Sequence, residues 1–368
     1  MKNKDWRGKV VNKEVISDGQ GISIAVLFLS GTSTILVMAL CAKGDFWIAI
    51  ILAVLLGLIM SFVLTKLNHQ FPGKNLYDIH EICYGKFLGK IISFLYMYFL
   101  FEEGIAVFSN TKQFITETSI LETPQIITII PLALLCVWAV KSGIEVIGRW
   151  AKLFIILFVI VVTCMSILLL PKIELSNMEP ILYNGVKPVL EGTLMAFAFP
   201  FGEIIILAFV FENFQTKKSP KKIYVWGLIL AGIIAMNNSV ITVLFLGIDI
   251  STTSYFPVFH AAAGIDVGEF IQRLEVFTVL IGVLGAFLKN SILLLCVCKG
   301  IGKIFNILDY KLFSLPVVLM MLIGSEVYHP SRMDFIYWNT YVWSYYAVLF
   351  EALPILLLVI AKIKKNRQ

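Results

Sequence analysis

Long runs of apolar side chains, separated by short polar stretches, occupy almost the whole chain. They cover Ile16–Cys41, Phe46–Leu67, Leu88–Ser119, Ile126–Val140, Ile144–Leu170, Val186–Phe214, Ile223–Gly247, Phe270–Val297, Leu312–Val327 and Phe335–Ile360. A helix of about 20 such residues crosses the hydrocarbon core of a bilayer with all its backbone polar groups paired internally. The pattern predicts an all-α integral membrane protein of about ten transmembrane helices. The run Ile126–Val140 is short and extends at most to Gly143. Phe71–Tyr84 is too polar to span and is expected to form a short interfacial helix, with a second, Tyr255–Gly264, on the opposite side. The expected organisation is one polytopic domain over residues 1–368: a polar segment at 1–15, the bundle at 16–361 and a tail at 362–368.

Composition strengthens this picture. Hydrophobic residues make up 59% of the 368 residues, mean hydropathy is +0.88, and only 15% are charged; an ordinary soluble domain carries roughly 25%. Five basic residues (Lys2, Lys4, Arg7, Lys9, Lys13) precede the first apolar run and no small-residue cleavage site closes it, so span one is expected to act as its own insertion signal. Cys41, Cys83, Cys136, Cys164, Cys296 and Cys298 are scattered, and the last two are too close together for metal-ligand spacing without partners. They read as small hydrophobes, with neither disulfide, zinc nor other cofactor expected.

The formal charge of +6 raises the question of a nucleic-acid partner, and the placement of the charges answers it. With ten spans both termini share a side, and 23 basic residues fall on that side in six separate segments. The other side has Lys43, Lys172, Lys187 and Arg332, while Lys112, Arg273 and Lys289 lie within spans. This asymmetry is that of a membrane protein with both termini cytoplasmic. No nucleic-acid partner is expected.

Two spans look interrupted. The first carries Leu29-Ser30-Gly31-Thr32-Ser33-Thr34 halfway across, and the sixth carries Phe199-Pro200-Phe201-Gly202-Glu203 at the equivalent depth. Proline removes a backbone donor and glycine relaxes the chain. Unpaired backbone at that depth is tolerated only inside protein or along a cavity. Spans five apart run in opposite directions, which is the signature of a five-plus-five inverted repeat holding a ligand between broken helices one and six. Ordinary kinks with small residues for helix packing are the alternative.

Four short motifs carry a family likeness. They are Ile16-Ser17-Asp18-Gly19-Gln20 at span one, Ile144-Glu145-Val146-Ile147-Gly148-Arg149 at span five, Phe199-Pro200-Phe201-Gly202-Glu203 in span six and Gln272-Arg273-Leu274-Glu275 at span eight. In this order, over essentially the whole chain, the sequence resembles the B subunit of the Bacillus-type spore germinant receptor, a branch of the amino acid–polyamine–organocation transporter superfamily. The resemblance implies a LeuT-like core, sensing of a small nutrient, and assembly with A and C subunits in the spore inner membrane. It also implies that Ser30, Gly31, Thr32 and Ser33 hold the polar end of the ligand. The glycine-rich pattern of typical amino acid permeases is absent there, so specificity for amino acids does not follow.

Ionisable groups within the bilayer are costly and hence functional candidates. Glu102 and Glu103 lie near the middle of span three, about 100° apart around the helix. Tyr98, Glu102, Ser109 and Gln113 form one stripe, and Glu103, Asn110 and Glu117 form another. One stripe is expected to line a cavity and the other to meet a neighbouring helix. Tyr98 and Glu102 are taken as ligand contacts, Glu102 serving as an amine contact or a protonatable switch, with a neutral interhelical acid as the alternative. Glu103 is assigned a gating or structural part. Phe199, Pro200, Phe201, Gly202 and Glu203 are placed in the site, and Glu203 is expected to cap the second half-helix. Arg273 and Glu275 are assigned a gating or structural part; two residues apart, they are not expected to face one another on a helix, and pairing elsewhere or solvation near the outer interface is the alternative. Lys289, also assigned a gating or structural part, is expected to snorkel toward the cytoplasmic surface, or else to stand as a fixed cation in place of a sodium ion. Glu351 reads as an interhelical contact, and Tyr337–Tyr346 as an interfacial aromatic belt.

The paired breaks predict a transporter-like bundle, and the resemblance implies that it serves as a nutrient receptor subunit. A proton-coupled permease for an amino acid or similar solute uses the same bundle and remains the second reading. An enzyme is disfavoured, because His69, His80, His260 and His329 have no metal spacing and no phosphate-binding loop or activated nucleophile is present.

Overall fold

The computed structural model describes residues 14–119, 122–265 and 273–365; the basic residues at 2–13, Gln272 and Arg367 lie outside them. Among the described residues fourteen α-helices occur in chain order: α1 (Asp18–Ser30), α2 (Phe46–Gln70), α3 (Leu76–Tyr84), α4 (Lys86–Thr118), α5 (Gln125–Ser142), α6 (Ile144–Leu169), α7 (Val186–Ala196), α8 (Ser219–Leu246), α9 (Ile248–Thr253), α10 (Pro257–Ala263), α11 (Glu275–Phe305), α12 (Ser314–Val327), α13 (Arg332–Trp338) and α14 (Ser344–Lys365). Nine segments among the described residues are long and apolar enough to cross a membrane, and α1 is a shorter apolar helix. Together they make ten spans. Helix α7 continues through a π-type turn, Phe197–Phe201, into a 3-10 helix, Gly202–Phe209, to form span six. Span ten joins α13 to α14 through Asn339–Trp343. The interfacial helices form at Leu76–Tyr84 and Pro257–Ala263, inside the two polar stretches.

Span one differs from the continuous run that hydropathy suggests. Its helix stops at Ser30, a single 3-10 turn follows at Ser33–Ile35, and Leu36 is extended. Local hydroxyls explain the stop. Ser33 Oγ donates to Leu29 O at 2.9 Å and lies 3.2 Å from Ser30 O, and Thr34 Oγ1 also donates to Ser30 O. These side chains satisfy carbonyls that the missing turns would otherwise leave bare. In span six the corresponding interruption has Phe199 in an extended conformation (φ −152°, ψ 115°) before Pro200. Gly31 lies about 20 Å of rise from the start of α1, and Phe197 about 17 Å from the start of α7, entered from the opposite face. The breaks therefore share the mid-plane.

Packing follows the inverted repeat. Helix α1 lies along α8, while its counterpart α7 lies along α2, and the central helices α4 and α11 pack on each other. Gly31 and Gly285 let spans one and eight meet backbone to backbone: a Cβ on Gly31 would lie 2.5 Å from the Cα of Gly285. The motif at the start of span one is a capping box. Ser17 Oγ accepts from Gln20 N at 3.3 Å, and Gln20 Oε1 accepts from Ser17 N at 3.1 Å. Glu145, in the span-five motif, accepts from Val15 N at 2.8 Å. Both ends of the described chain lie on one face, where Lys364 donates to Ile82 O and Lys311 pairs with Glu14. Exposed Leu153, Ile156 and Ile160 give α6 an apolar outer wall suited to lipid.

Candidate functional site

A cavity of about 300 Å³ lies between the two breaks and runs toward the face opposite the termini. This is at the lower end of the range of small-molecule sites, roughly 300–1,000 Å³. Each wall follows from the local chain. Thr32 enters from the unwound turn of span one, and its buried hydroxyl has no hydrogen-bond partner among the described residues. Phe199 enters from span six because its extended backbone turns the ring away from the helix axis. Glu103 and Asn110, seven residues apart on α4, point in from one stripe.

The floor is charged. Lys289 of α11 has no exposed side-chain surface; its Nζ lies 2.6 Å from Glu203 Oε2 and 3.2 Å from Glu103 Oε1. Only the Glu203 contact has hydrogen-bond geometry. Both oxygens of Glu103 and Oε1 of Glu203 are buried without a hydrogen-bond partner among the described residues. The rings of Phe28 and Phe199 stand 5.3 and 4.5 Å from the ammonium, within the range where a cation is drawn to an aromatic face. One lysine thus ties together spans three, six and eight.

The mouth is a second polar cluster. Arg332, at the start of α13, pairs with Glu117 at 2.7 Å and lies 4.1 Å from the ring centre of Tyr255. Tyr255 Oη in turn reaches Asn110 Oδ1 at 3.4 Å. Glu103, Asn110 and Glu117 therefore form a polar track from floor to mouth, in the register that steps of seven prescribe.

The structure brings together five of the residues singled out in the sequence: Thr32, Glu103, Phe199, Glu203 and Lys289. The others lie elsewhere. Ser30 and Gly31 are buried in the packing of span one, and Ser33 is turned back on its own helix. Pro200, Phe201 and Gly202 are buried behind the break. Tyr98 is exposed and Glu102 sits beside the hydroxyls of Tyr98 and Tyr346, and neither lines the cavity. The same stripe continues at Ser109, whose hydroxyl lies 3.4 Å from Ser325 O of α12.

Three expectations need correction. Lys289 does not snorkel, because two carboxylates within 3.2 Å compensate its charge in place. Glu203 does not cap a helix: the 3-10 segment has no side-chain cap, and the carboxylate is taken by Lys289 instead. Arg273 and Glu275 do approach, with Nε and Oε1 3.8 Å apart, because Arg273 precedes the helix at φ +64° rather than sitting within it. Glu351 is fully buried with both oxygens unpaired among the described residues, and its carboxylate occupies the space where a side chain on Gly202 would begin. Asn110 and Arg332 also line the cavity. The i+7 stripe pointed to Asn110, whereas Arg332 stood among loop charges with no local signal.

With the geometry in place, the similarities are informative. Residues 15–331 match the family described as "Spore germination protein". The chain is 27% identical to Spore germination protein KB of Bacillus subtilis (strain 168) over 97% of both chains. It is 25% identical to Spore germination protein YndE of the same organism over 88% of each. Spore germination protein XB of Bacillus anthracis is 21% identical over 88% of this chain and 90% of its own. Among solved structures, the nucleobase-cation-symport-1 transporter Mhp1, closed with bromovinylhydantoin bound, superposes with a TM-score of 0.68 at 13% identity, covering 94% of this chain and 78% of its own. A Na+-coupled sialic acid symporter, outward-open with substrate, gives a TM-score of 0.60 at 13% identity over 93% and 77%. At that identity the likeness establishes the fold, a LeuT-type transporter bundle.

Proposed function

The chain belongs to the spore germination protein family, and on that premise we propose that it is a nutrient germinant receptor subunit, which binds a small molecule between its broken helices and passes a conformational change to partner subunits. The observation that carries this reading is the buried charged cavity between the two breaks, floored by Glu103, Glu203 and Lys289. A purely structural membrane subunit has no use for three buried ionisable groups around a cavity of about 300 Å³. A ligand acts on such a bundle only if it binds two conformations unequally. Lys289 supplies a means, because any ligand that competes for Glu103 loosens a tie between spans three and eight.

The multi-pass chain resides in the spore inner membrane in this reading. The excess of basic residues on the face of the termini supports cytoplasmic ends. A and C receptor subunits are its expected partners. The test is a germination dose response in spores lacking the gene, complemented with wild type and with protein levels checked. Loss of response to one nutrient class, restored by wild type, is the expected result. Normal germination with every nutrient, in a strain without other receptors, would overturn the reading.

A further inference from the structure

Basic side chains on the face of the termini fall into two groups. Lys299, Lys303 and Lys311 each pair with a carboxylate, on Glu212, Asp78 and Glu14 respectively. Around the start of span one the balance fails. Lys66, Lys152, Lys217, Lys218 and Lys221 are exposed and form no ion pair among the described residues. The two acids nearby are already engaged, Asp18 by Lys222 at 2.8 Å and Glu145 by Arg149 at 3.7 Å. The group is contiguous. Lys222 reaches Asp18, and Lys152 Cε lies 3.9 Å from where a Cβ would stand on the next residue, Gly19. Lys221 stands 5.9 Å from the ring centre of Phe62, one turn before Lys66 on α2, and His69 Nε2 lies 2.8 Å from Lys217 O.

An apolar surface begins where these charges end. Helices α6 and α8 pack on each other and on α1, which is buried from Ser23 to Ser30. Beside and beyond Lys152, α6 exposes Trp150, Leu153 and Ile156; beyond Lys222, α8 exposes Trp226, Leu230 and Ile233. Tryptophans at the end of a span sit at headgroup level. We infer that the ends of spans five and seven on this face form a binding site for an anionic phospholipid. Lys152 and Lys222 hold its phosphate, Arg149 and Lys221 stand at the rim, and its acyl chains lie on the outer faces of α6 and α8. A phosphodiester supplies the missing negative charge together with acceptor oxygens, and basic clusters beside a transmembrane helix attract acidic headgroups. A zwitterionic headgroup brings no net charge, and a soluble anion leaves the tryptophans and the apolar faces without a partner. Lipid bound here bridges α6 and α8 across the entry to span one, whose break forms one wall of the cavity.

The experiment titrates the purified full chain in detergent with phosphatidylglycerol or phosphatidylcholine of the same acyl chains, measures retained lipid by native mass spectrometry, and follows the melting temperature in parallel. Wild type is expected to retain phosphatidylglycerol in preference to phosphatidylcholine and to melt higher with it. The triple variant Arg149→Gln, Lys152→Gln, Lys221→Gln should weaken phosphatidylglycerol binding by about tenfold to a hundredfold. The triple variant Lys74→Gln, Lys86→Gln, Lys362→Gln removes the same charge from exposed positions elsewhere on that face and should match wild type. Lys152→Gln alone should weaken binding about fivefold while Lys152→Arg keeps it, a comparison that holds even where the first triple variant does not fold. Glycerophosphoglycerol, the headgroup without chains, should neither compete with the lipid nor raise the melting temperature. Equal retention of the two lipids, equal weakening by the two triple variants, or glycerophosphoglycerol acting as strongly as the lipid overturns the assignment.

Discussion

The ammonium of Lys289 lies 2.6 Å from the carboxylate of Glu203, and neither side chain is exposed at all. Span eight and the broken segment of span six are thus joined by a fully desolvated ion pair. Removing one member of such a pair leaves the other buried without compensation, at a cost of about 3–5 kcal/mol. Lys289→Met should therefore lower the melting temperature of the purified protein sharply or prevent its accumulation. Lys289→Met combined with Glu203→Gln should recover much of the loss, because the uncompensated charge is then reduced. A double variant no better than the single one would show that the pair is not the source of the effect.

Gly202 and Glu351 compete for one space. The carboxylate of Glu351 sits where a Cβ on Gly202 would go, so Gly202→Ala should destabilise the fold by about 1–3 kcal/mol. In a Glu351→Ala background the same substitution should cost distinctly less. Phe197 O also lies 2.9 Å from that position, so recovery will be partial. Thermal unfolding of the four proteins in the cycle measures the coupling.

Contact between spans one and eight depends on two glycines. A side chain at Gly285 has backbone atoms of Gly31 in its way, and neither partner has a flexible end to give. Gly285→Leu is expected to separate the spans and abolish germination with a large drop in protein level. Gly85, where a Cβ meets nothing within 4 Å but φ is +85° and ψ 170°, provides a contrast: Gly85→Ala should cost only the backbone penalty of about 1–3 kcal/mol. Immunoblots of spore membranes with a thermal melt check both.

Tyr98 and Glu102 belong to the other stripe of α4 and are not among the residues that line the cavity. Glu102→Gln and Tyr98→Phe should leave the half-maximal nutrient concentration within about twofold of wild type, as expected for positions outside the binding shell. A larger rightward shift at normal protein level would return Glu102 to the site.

His80, on the interfacial helix α3, is 2% exposed and stacks on Tyr96 at 5.1 Å. Burial pushes its imidazole down to about 3 from an ordinary 6.5. Above pH 6.5 the ring is neutral in folded and unfolded chains alike, so it adds no pH dependence. As pH falls from 6.5 toward 3, the unfolded chain takes up a proton that the folded one refuses, and stability is lost. His80→Gln should remove that part of the acid slope in a series of melting temperatures, and an unchanged slope would refute the assignment.

Much of the architecture was legible in the chain because bilayer physics writes it there. Each span must satisfy its own backbone, so length and hydropathy mark it, and the interfacial helices show as polar gaps of helical composition. The breaks were legible for a related reason: hydroxyl clusters and Pro-Gly pairs are the residues that make interrupted helices tolerable at depth. Periodicity on α4 separated two stripes correctly, one through Glu102 and the other through Glu103. It carries no information about which stripe faces inward, since both are polar and both sit at the mid-plane.

Tertiary structure decided the rest, and always by supplying a partner distant in sequence. Lys289 is held inside the protein by Glu103 and Glu203, which are 186 and 86 residues away. Arg332 becomes part of the cavity mouth through Glu117 and Tyr255 rather than through any neighbour in the chain. Gly202 is explained by Glu351, which arrives from span ten. The sequence alone determined which stretches span and where spans one and six break, because those are local balances of backbone pairing against side-chain competition; the ends shifted, as in span eight, read as Phe270–Val297 and found as a helix over Glu275–Phe305. Which charges meet depended on how spans distant in the chain pack, and only the folded bundle decides that.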